Sequence, residues 1–240
     1  MSRRFITTAA VALLAGACHV GSKAEDRDAG PKVSRNYQVG AFDKLAVSGP
    51  YQVNVVSGGA PGVSAQGGSN LLDETEVVVE NGTLKIRPKK RGGIHFNWHN
   101  GKAVFTVNAA ALHGAAIAGS GGVNVDKVAG DFDGAVAGSG DLKLASIAGG
   151  KIKLNIAGSG GIDAAGKADA VDLSIAGSGD IRAGGLASRK ADVSIAGSGN
   201  VAANASDTAS VSIMGSGDVD ISGGAKCSVS KAGSGDVRCS

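Results

Sequence analysis

One short segment of the chain, residues 87–102 (RPKKRGGIHFNWHNGK), concentrates side chains that can bind a ligand. Its basic, aromatic and imidazole groups are Arg87, Lys89, Lys90, Arg91, His95, Phe96, Trp98 and His99. Aromatic rings beside basic groups stack on a sugar or a base, or meet an anionic lipid headgroup. The segment is therefore a candidate contact surface for a glycan or a lipid. The glycines at 92–93 and 101 favour the alternative, a plain solvated hairpin tip, where two histidines four residues apart do not make a metal site.

A second set of candidate residues follows the tripeptide Gly-Ser-Gly. The seven copies begin at Gly119, Gly138, Gly158, Gly177, Gly197, Gly215 and Gly233. Asp180, Asp218 and Asp236 come directly after three of them, and stacked copies would bring such carboxylates to about 5 Å from one another. The carboxylates would repel, and Ca²⁺ would relieve the repulsion because it favours oxygen ligands. Asn200 and Gly161 interrupt the charge and favour the alternative, in which Asp and Asn cap a corner by accepting backbone N–H groups, without a metal.

Groups that enzymes use are scarce in the repeats. The histidines are His19, His95, His99 and His113, and no glutamate follows Glu80. A carbohydrate-active β-helix enzyme, the least favoured alternative, needs acids and bases gathered in a cleft, which this composition barely supplies. We therefore expect a protein without catalytic activity and without a cofactor.

The charge and the composition exclude other classes of protein. The formal net charge of +3 includes Arg3 and Arg4, so a chain that has lost its first residues is close to neutral and gives no electrostatic case for a nucleic-acid partner. Forty glycines without a three-residue period exclude collagen, and 42% hydrophobic residues argue against disorder. Aromatic residues make up only 3%, so small and branched aliphatic side chains must fill the core.

The N-terminus has the pattern of an export signal. Arg3 and Arg4 precede a mostly apolar stretch, and small residues at 15–17 form a cleavage site before Cys18. The motif LLAGAC resembles a lipoprotein signal, in which the cysteine is lipidated after cleavage, although an alanine stands where that pattern usually has leucine. We predict a signal peptide over 1–17 and a membrane partner through a lipid on Cys18. The alternative is plain secretion.

The residues after the signal bear on location and on the redox state of the cysteines. His19 rather than aspartate follows the cysteine, which favours sorting to the outer membrane, facing the periplasm or the cell surface; the alternative is a soluble periplasmic protein. Residues 18–35 are polar and lack periodicity, and they predict a flexible tether. In an oxidising compartment, Cys227 and Cys239 either form a disulfide or remain as buried thiols.

The repeats predict the fold. The Gly-Ser-Gly copies recur at spacings of 19, 20, 19, 20, 18 and 18 residues, and alternating apolar residues flank each copy. These features are typical of a solenoid whose coils each bury one face of every strand. We predict an all-β fold with a single domain over 36–240. A short irregular β region over 36–107, with a hairpin at Asn81-Gly82, precedes a parallel β-helix-like solenoid over 108–240 with about 18–20 residues per coil.

The last coil predicts an end to the stack. Lys231 falls in an inward column where earlier coils have Ile175, Ile195 and Ile213. A lysine there suits a terminal coil, since it opposes the addition of a further strand.

The chain resembles the "putative auto-transporter adhesin head GIN domain" family of exported bacterial proteins. The resemblance runs from about Tyr37 to the C-terminus and is carried by FDKLAVSGPYQVNVVSG, NLLDETEVVVENGTLKIRPKK and the repeats of the type IAGSGGVNV. It implies a β-rich solenoid at the cell envelope with a role in adhesion, surface display or envelope structure. It brings no catalytic residues.

Overall fold

The computed structural model describes residues 25–89, 96–99 and 102–240, with the backbone alone for 25–27 and 96–99. Within the described part of the N-terminal half, the chain forms one short helix, α1 (Ser69–Asp73), and nine strands. These strands are β1 (Glu25–Asp28), β2 (Lys32–Tyr37), β3 (Lys44–Ser48), β4 (Gln52–Ser57), β5 (Gly62–Gly68), β6 (Thr75–Glu80), β7 (Thr83–Pro88), β8 (Phe96–His99) and β9 (Val104–Ala109).

The remainder of the chain consists of repeated strands. They are β10 (Gly114–Gly119), β11 (Gly122–Val125), β12 (Val128–Ala129), β13 (Phe132–Gly138), β14 (Asp141–Ala148), β15 (Lys151–Gly158), β16 (Gly161–Lys167), β17 (Ala170–Gly177), β18 (Asp180–Gly197), β19 (Asn200–Gly215), β20 (Val219–Ser222), β21 (Lys226–Gly233) and β22 (Val237–Cys239). Both β18 and β19 run through a corner of the coil, so each contributes to more than one wall.

The strands stack into two principal walls. The first wall contains the strands that precede each Gly-Ser-Gly corner and the N-terminal strands stacked on them, in the order β6, β7, β3, β10, β13, β15, β17, β18, β19, β21. The second wall contains the strands that follow the corner and the N-terminal strands stacked on them, in the order β2, β5, β9, β4, β11, β14, β16, β18, β19, β20, β22. Every pairing from β3–β10 and β4–β11 onward is parallel and joins equivalent residues of successive coils. The predicted parallel β-solenoid is confirmed.

The N-terminal strands are part of the same stack. Strands β3 and β4 pair in parallel with the first repeat strands, so the coils begin well before the first Gly-Ser-Gly. Antiparallel pairs close this end: β6 with β7 on one wall, and β2 with β5 and β5 with β9 on the other. The turn between β6 and β7 is the predicted hairpin, with positive φ at Asn81 (51°) and Gly82 (73°). A two-residue turn with positive φ at both positions has a backbone twist that matches the twist of the flanking strands, as a hairpin requires.

The predicted tether over 18–35 is too long. Strand β1, which pairs with β8, lies inside the predicted tether, and β2, which pairs with β5, begins inside it at Lys32. Val33 and Arg35 are half-buried in β2, and the Arg35 guanidinium lies 2.7 Å from the Asp73 carboxylate. The polar composition of this stretch concealed a two-residue alternation, which is the pattern of an edge strand with one covered face.

Inward side chains form continuous apolar ladders through the repeats. One ladder joins Ile156, Ile175, Ile195 and Ile213, each no more than 2% exposed and each paired in register with the next. Full burial of such a side chain stabilises the fold by about 1.5–3 kcal/mol. Because each coil contributes one layer and contacts its two neighbours, the stability of the protein is distributed along the stack.

The Gly-Ser-Gly corner is explained by its contacts with the preceding coil. The first glycine has φ between 115° and 139° in all seven copies, a region that residues with a Cβ rarely adopt. The serine N–H donates to the carbonyl of the first glycine one coil earlier, as from Ser139 to Gly119 at 2.9 Å. A Cβ on the second glycine would meet the second glycine of that coil; at Gly140 it would lie 2.5 Å from the carbonyl oxygen of Gly121. Both glycines are therefore needed for the coils to approach one another.

A helix and a buried hydrogen-bond chain close the N-terminal end. Helix α1 buries Leu71 and Leu72 over the apolar ladders. The Tyr51 hydroxyl donates to Thr75 Oγ1 at 3.0 Å, and Thr75 Oγ1 donates to the Leu71 carbonyl at 2.8 Å. The Tyr51 ring also packs edge-on against Phe105. The hydroxyl groups of Tyr51 and Thr75 are thus satisfied inside the cap, as burial requires. No helix among the described residues is long and apolar enough to span a membrane.

The Tyr51 cap makes the fold sensitive to alkali. Burial raises the pKa of the Tyr51 hydroxyl above its ordinary value of 10.0. The folded protein therefore keeps this proton at a pH where the unfolded chain loses it, and the stabilisation present below pH 10 is lost as the pH rises above it. We expect Tyr51→Phe to lower the free energy of unfolding by about 1 kcal/mol at pH 8. Urea titrations from pH 8 to 11 should show a smaller alkaline loss in the variant than in the native protein. Equal losses would contradict this role.

The C-terminal end is closed differently. Lys231 occupies the position in register with Ile213, and its ammonium group donates to the Gly235 carbonyl at 2.6 Å, so the side chain turns across the end of the stack. Val229, an inward residue of the same strand, is 47% exposed because no further coil covers it. In the last coil, a charged residue thus replaces the isoleucine of the inward ladder.

We expect Lys231→Ile to promote self-association through this end. The substitution would continue the isoleucine ladder to an open strand edge, and such edges pair with other chains. Light scattering after size-exclusion chromatography, at several protein concentrations, should detect a dimer. Lys226→Ile is the matched control, because Lys226 is exposed on the same strand and faces outward. Equal behaviour of the two variants would exclude the capping role of Lys231.

Candidate functional site

The residues that follow the Gly-Ser-Gly corners form a hydrogen-bonded column on the second wall. The Asp180 carboxylate accepts the Asn200 N–H at 3.2 Å, and the Asn200 side-chain oxygen accepts the Asp218 N–H at 3.3 Å. The Asp218 carboxylate accepts the Asp236 N–H at 2.8 Å. Each side chain thus holds the next coil at its corner. The calcium candidates Asp180, Asp218 and Asp236 lie in this capping arrangement, and the described residues contain no group of three or more metal-ligating side chains placed to hold a metal ion.

A groove of about 420 Å³ lies beside this column. One side is the corner column, and the other is the column two residues further along each strand, which contains Arg182, Ala202, Asp220 and Arg238. The floor includes the strand backbone at Val201. Sequence reasoning located the corner column but missed the groove, because a groove depends on which side chains are short at one level of the stack.

The basic residues at the start of the 87–102 segment are engaged locally. Arg87 lies 2.7 Å from the Glu76 carboxylate and 3.1 Å from Glu80, across the β6–β7 hairpin. Lys85 lies 2.6 Å from Glu80 and lowers the pKa of that carboxyl through a hydrogen bond. Lys89 donates its ammonium to the Asp73 carbonyl. Arg87 and Lys89 therefore stabilise the hairpin and the end of α1.

The rest of the predicted contact surface is described only in part. Lys90, Arg91 and His95 lie outside the described residues. Phe96, Trp98 and His99 lie in β8, whose backbone pairs in parallel with β1, so that Glu25 is opposite Phe96 and Asp28 is opposite His99. The sequence contained no signal for this pairing, since β1 is a polar four-residue strand.

Cys227 and Cys239 join the two walls of the last coil. Cys227 lies on β21 and Cys239 on β22, and the two are bonded in a disulfide with their Cα atoms 6.7 Å apart. Strand β22 is three residues long and pairs with β20 alone. The covalent bond is therefore a major attachment of the C-terminal residues to the stack.

A family model described as "Putative auto-transporter adhesin, head GIN domain" matches residues 41–225. The chain belongs to this family. The family's description points to an exported, surface-associated protein, and the matched range includes the first coils and almost all of the repeats. A search of curated protein sequences found no match.

Solved structures share the fold. A "Putative lipid binding protein" from Parabacteroides distasonis is 28% identical, with a TM-score of 0.75 over 90% of this chain and 100% of that one. A "putative adhesin" from Bacteroides fragilis is 22% identical, with a TM-score of 0.78 over 89% of this chain and 100% of that one. Another "putative adhesin", from Parabacteroides merdae, is 21% identical, with a TM-score of 0.69 over 90% and 100%. The family and the structural relatives are named as adhesins or binding proteins rather than as enzymes.

Proposed function

We propose that this protein is a non-catalytic adhesin-like solenoid, held at the outer membrane by a lipid on Cys18, that presents its outer walls to the cell's surroundings. The observation that carries the proposal is the closed, in-register stack: antiparallel strands and α1 close one end, and Lys231 and a disulfide close the other. A stack closed at both ends is a rigid rod whose long walls remain open to partners. Family membership supports surface association.

The length of the rod and its distance from Cys18 are consistent with display of its walls away from the membrane. The described residues form ten strands of the first wall, and the nine spacings of about 4.8 Å between them give a length of roughly 43 Å. Strand β1 begins seven residues after Cys18, and an extended chain of that length spans at most about 25 Å. A lipid on Cys18 would therefore keep β1 and the adjoining end of the rod close to the membrane, with the disulfide-closed end pointing away.

Attachment of the host cell tests this function. We expect deletion of the gene to reduce cell attachment to polysaccharide-coated surfaces, and the intact gene to restore it. A Cys18→Ser gene should produce the folded protein without restoring attachment. Equal attachment of deleted and intact cells on every surface would reject an adhesive role.

A second candidate function is recognition of a glycan or a lipid by the 87–102 segment. The β1–β8 pairing favours it, because Phe96 lies opposite Glu25 and is thereby held near the anchored terminus. Trp and Phe together with basic residues are typical of segments that lie at a membrane interface. A further support is that one structural relative is named a lipid binding protein.

Liposome flotation separates the two functions. The mature chain without its lipid should float with vesicles of anionic phospholipid if the segment binds lipid. A variant with Lys90→Gln, Arg91→Gln and Trp98→Ala should then lose flotation. If neither protein floats, or if both float equally, lipid recognition by the 87–102 segment is rejected. The display function is unaffected by that result.

A further inference from the structure

The groove on the second wall lies between two columns of polar side chains that run along the axis of the rod. It extends over four coils, from Asp180 at one end to Asp236 and Arg238 at the other. Three spacings of about 4.8 Å give it a length of roughly 14 Å. Its two sides are residues separated by two positions in each strand, about 7 Å apart. A groove of this shape accepts an extended chain lying along the rod.

The groove exists because one residue of its second column, Ala202, has a short side chain. The second column contains, coil by coil, Lys143, Asp163, Arg182, Ala202, Asp220 and Arg238. Charges alternate through the column up to Arg182, whose guanidinium lies 3.3 Å from both Asp163 and Asp180. Ala202 breaks the alternation, since it places a methyl group where an acidic side chain would continue the pairing.

The break leaves charged groups available to a ligand. Within the described part of the chain, the side chains of Asp220 and Arg238 take part in no hydrogen bond or ion pair, although both line the groove. Carboxylates and guanidinium groups bind hydroxyl and amine groups with several hydrogen bonds at once. The second column of the groove therefore offers an unused acceptor and an unused donor beside the strand backbone.

The charge of the lining selects the ligand class. The lining contains four carboxylates, those of Asp180, Asp218, Asp220 and Asp236, and two guanidinium groups, those of Arg182 and Arg238, for a net charge of −2. An anionic polymer would be repelled, whereas an uncharged or amine-bearing one would not. The corner column, which has Asp or Asn at every coil of the groove, also suits a ligand that is itself a repeating chain.

We propose that this groove binds an extended oligosaccharide that is uncharged or carries amino groups. The proposal deepens the adhesive function and rests on it, since the groove supplies the contact that a displayed wall would use. Small sites of this kind bind weakly one at a time, and many copies on one cell surface strengthen attachment through multivalency.

The test compares two substitutions at one level of the rod. Ala202→Gln places a long side chain in the groove. Ser194→Gln places the same side chain on the first wall of that level, where Ser194 is exposed and outside the groove. The probes are a glucosamine hexamer, its N-acetylated counterpart and an alginate oligomer, added to the full mature protein and followed by calorimetry at low salt.

We expect the native protein to bind one or both amino-sugar hexamers, and Ser194→Gln to bind them with the same affinity. The affinity of Ala202→Gln should be at least tenfold lower. Thermal unfolding should be the same for both variants. Binding of alginate in preference to the hexamers, no loss in Ala202→Gln, or no binding of any probe would overturn the proposal. If cells carrying Ala202→Gln still attach while Cys18→Ser cells do not, the groove is wrong and the display function stands.

Discussion

Gly199→Ala should unfold the protein at a markedly lower denaturant concentration than the native sequence. The added Cβ would meet the Gly179 carbonyl oxygen of the preceding coil and the Ile175 side chain, both closer than carbon atoms approach in proteins. Neither neighbour has room to move, because the carbonyl belongs to a packed corner and Ile175 is buried. We expect a loss of about 3 kcal/mol, at the upper end of the range for overpacked cores. Guanidinium titrations followed by circular dichroism measure it.

Gly184→Ala is the matched control for this prediction. Gly184 lies in the same strand, β18, and a Cβ there would meet only the Ala202 methyl group at 3.9 Å, an ordinary contact. It should therefore change stability by less than about 1 kcal/mol. A similar loss in the two variants would mean that general strand preferences, rather than the close approach of the corners, explain the repeated glycines.

The second large effect is expected at the C-terminal end. Replacing Cys227 and Cys239 by serine removes a cross-link that closes a loop of 12 residues, which should cost about 3 kcal/mol. Because each coil contacts only its neighbours, the loss should be local. Hydrogen exchange should become fast in β20, β21 and β22 and remain slow in β13, β15 and β17.

Reduction of the native protein is the control for the serine variant. A thiol reductant should reproduce the exchange pattern of the variant and have no effect on the variant itself. Uniform acceleration of exchange along the whole rod would contradict the local model, and unchanged exchange at the end would show that the disulfide is dispensable.

Much of the fold was predictable because the structural repeat corresponds to a regular repeat in the sequence. The spacing of Gly-Ser-Gly determines the register, since equivalent glycines lie beside one another in every pair of coils. The alternation around each copy separates inward from outward residues, and the structure buries the residues expected. The corner roles of Asp180 and Asp218 were likewise one of two sequence-based interpretations, and their backbone hydrogen bonds support the capping one.

The rest depends on contacts that the repeat does not encode. The start of the stack lacks Gly-Ser-Gly, so the local sequence does not indicate that β3 and β4 pair in parallel with later strands. The polar β2 reads as a tether until its partner β5 is known. The groove over Ala202 is visible only after the coils are aligned in three dimensions, because alanine is common throughout the chain.

The state of Cys18 in the native host tests the central claim most directly. Lipidation of Cys18 is measured by the intact mass and the detergent partitioning of the mature protein, compared with a Cys18→Ser variant. We predict a chain that begins at Cys18, carries the mass of covalently attached acyl groups and enters the detergent phase, while the variant stays in the aqueous phase. An unmodified native chain that remains in the aqueous phase would contradict a membrane-anchored display protein.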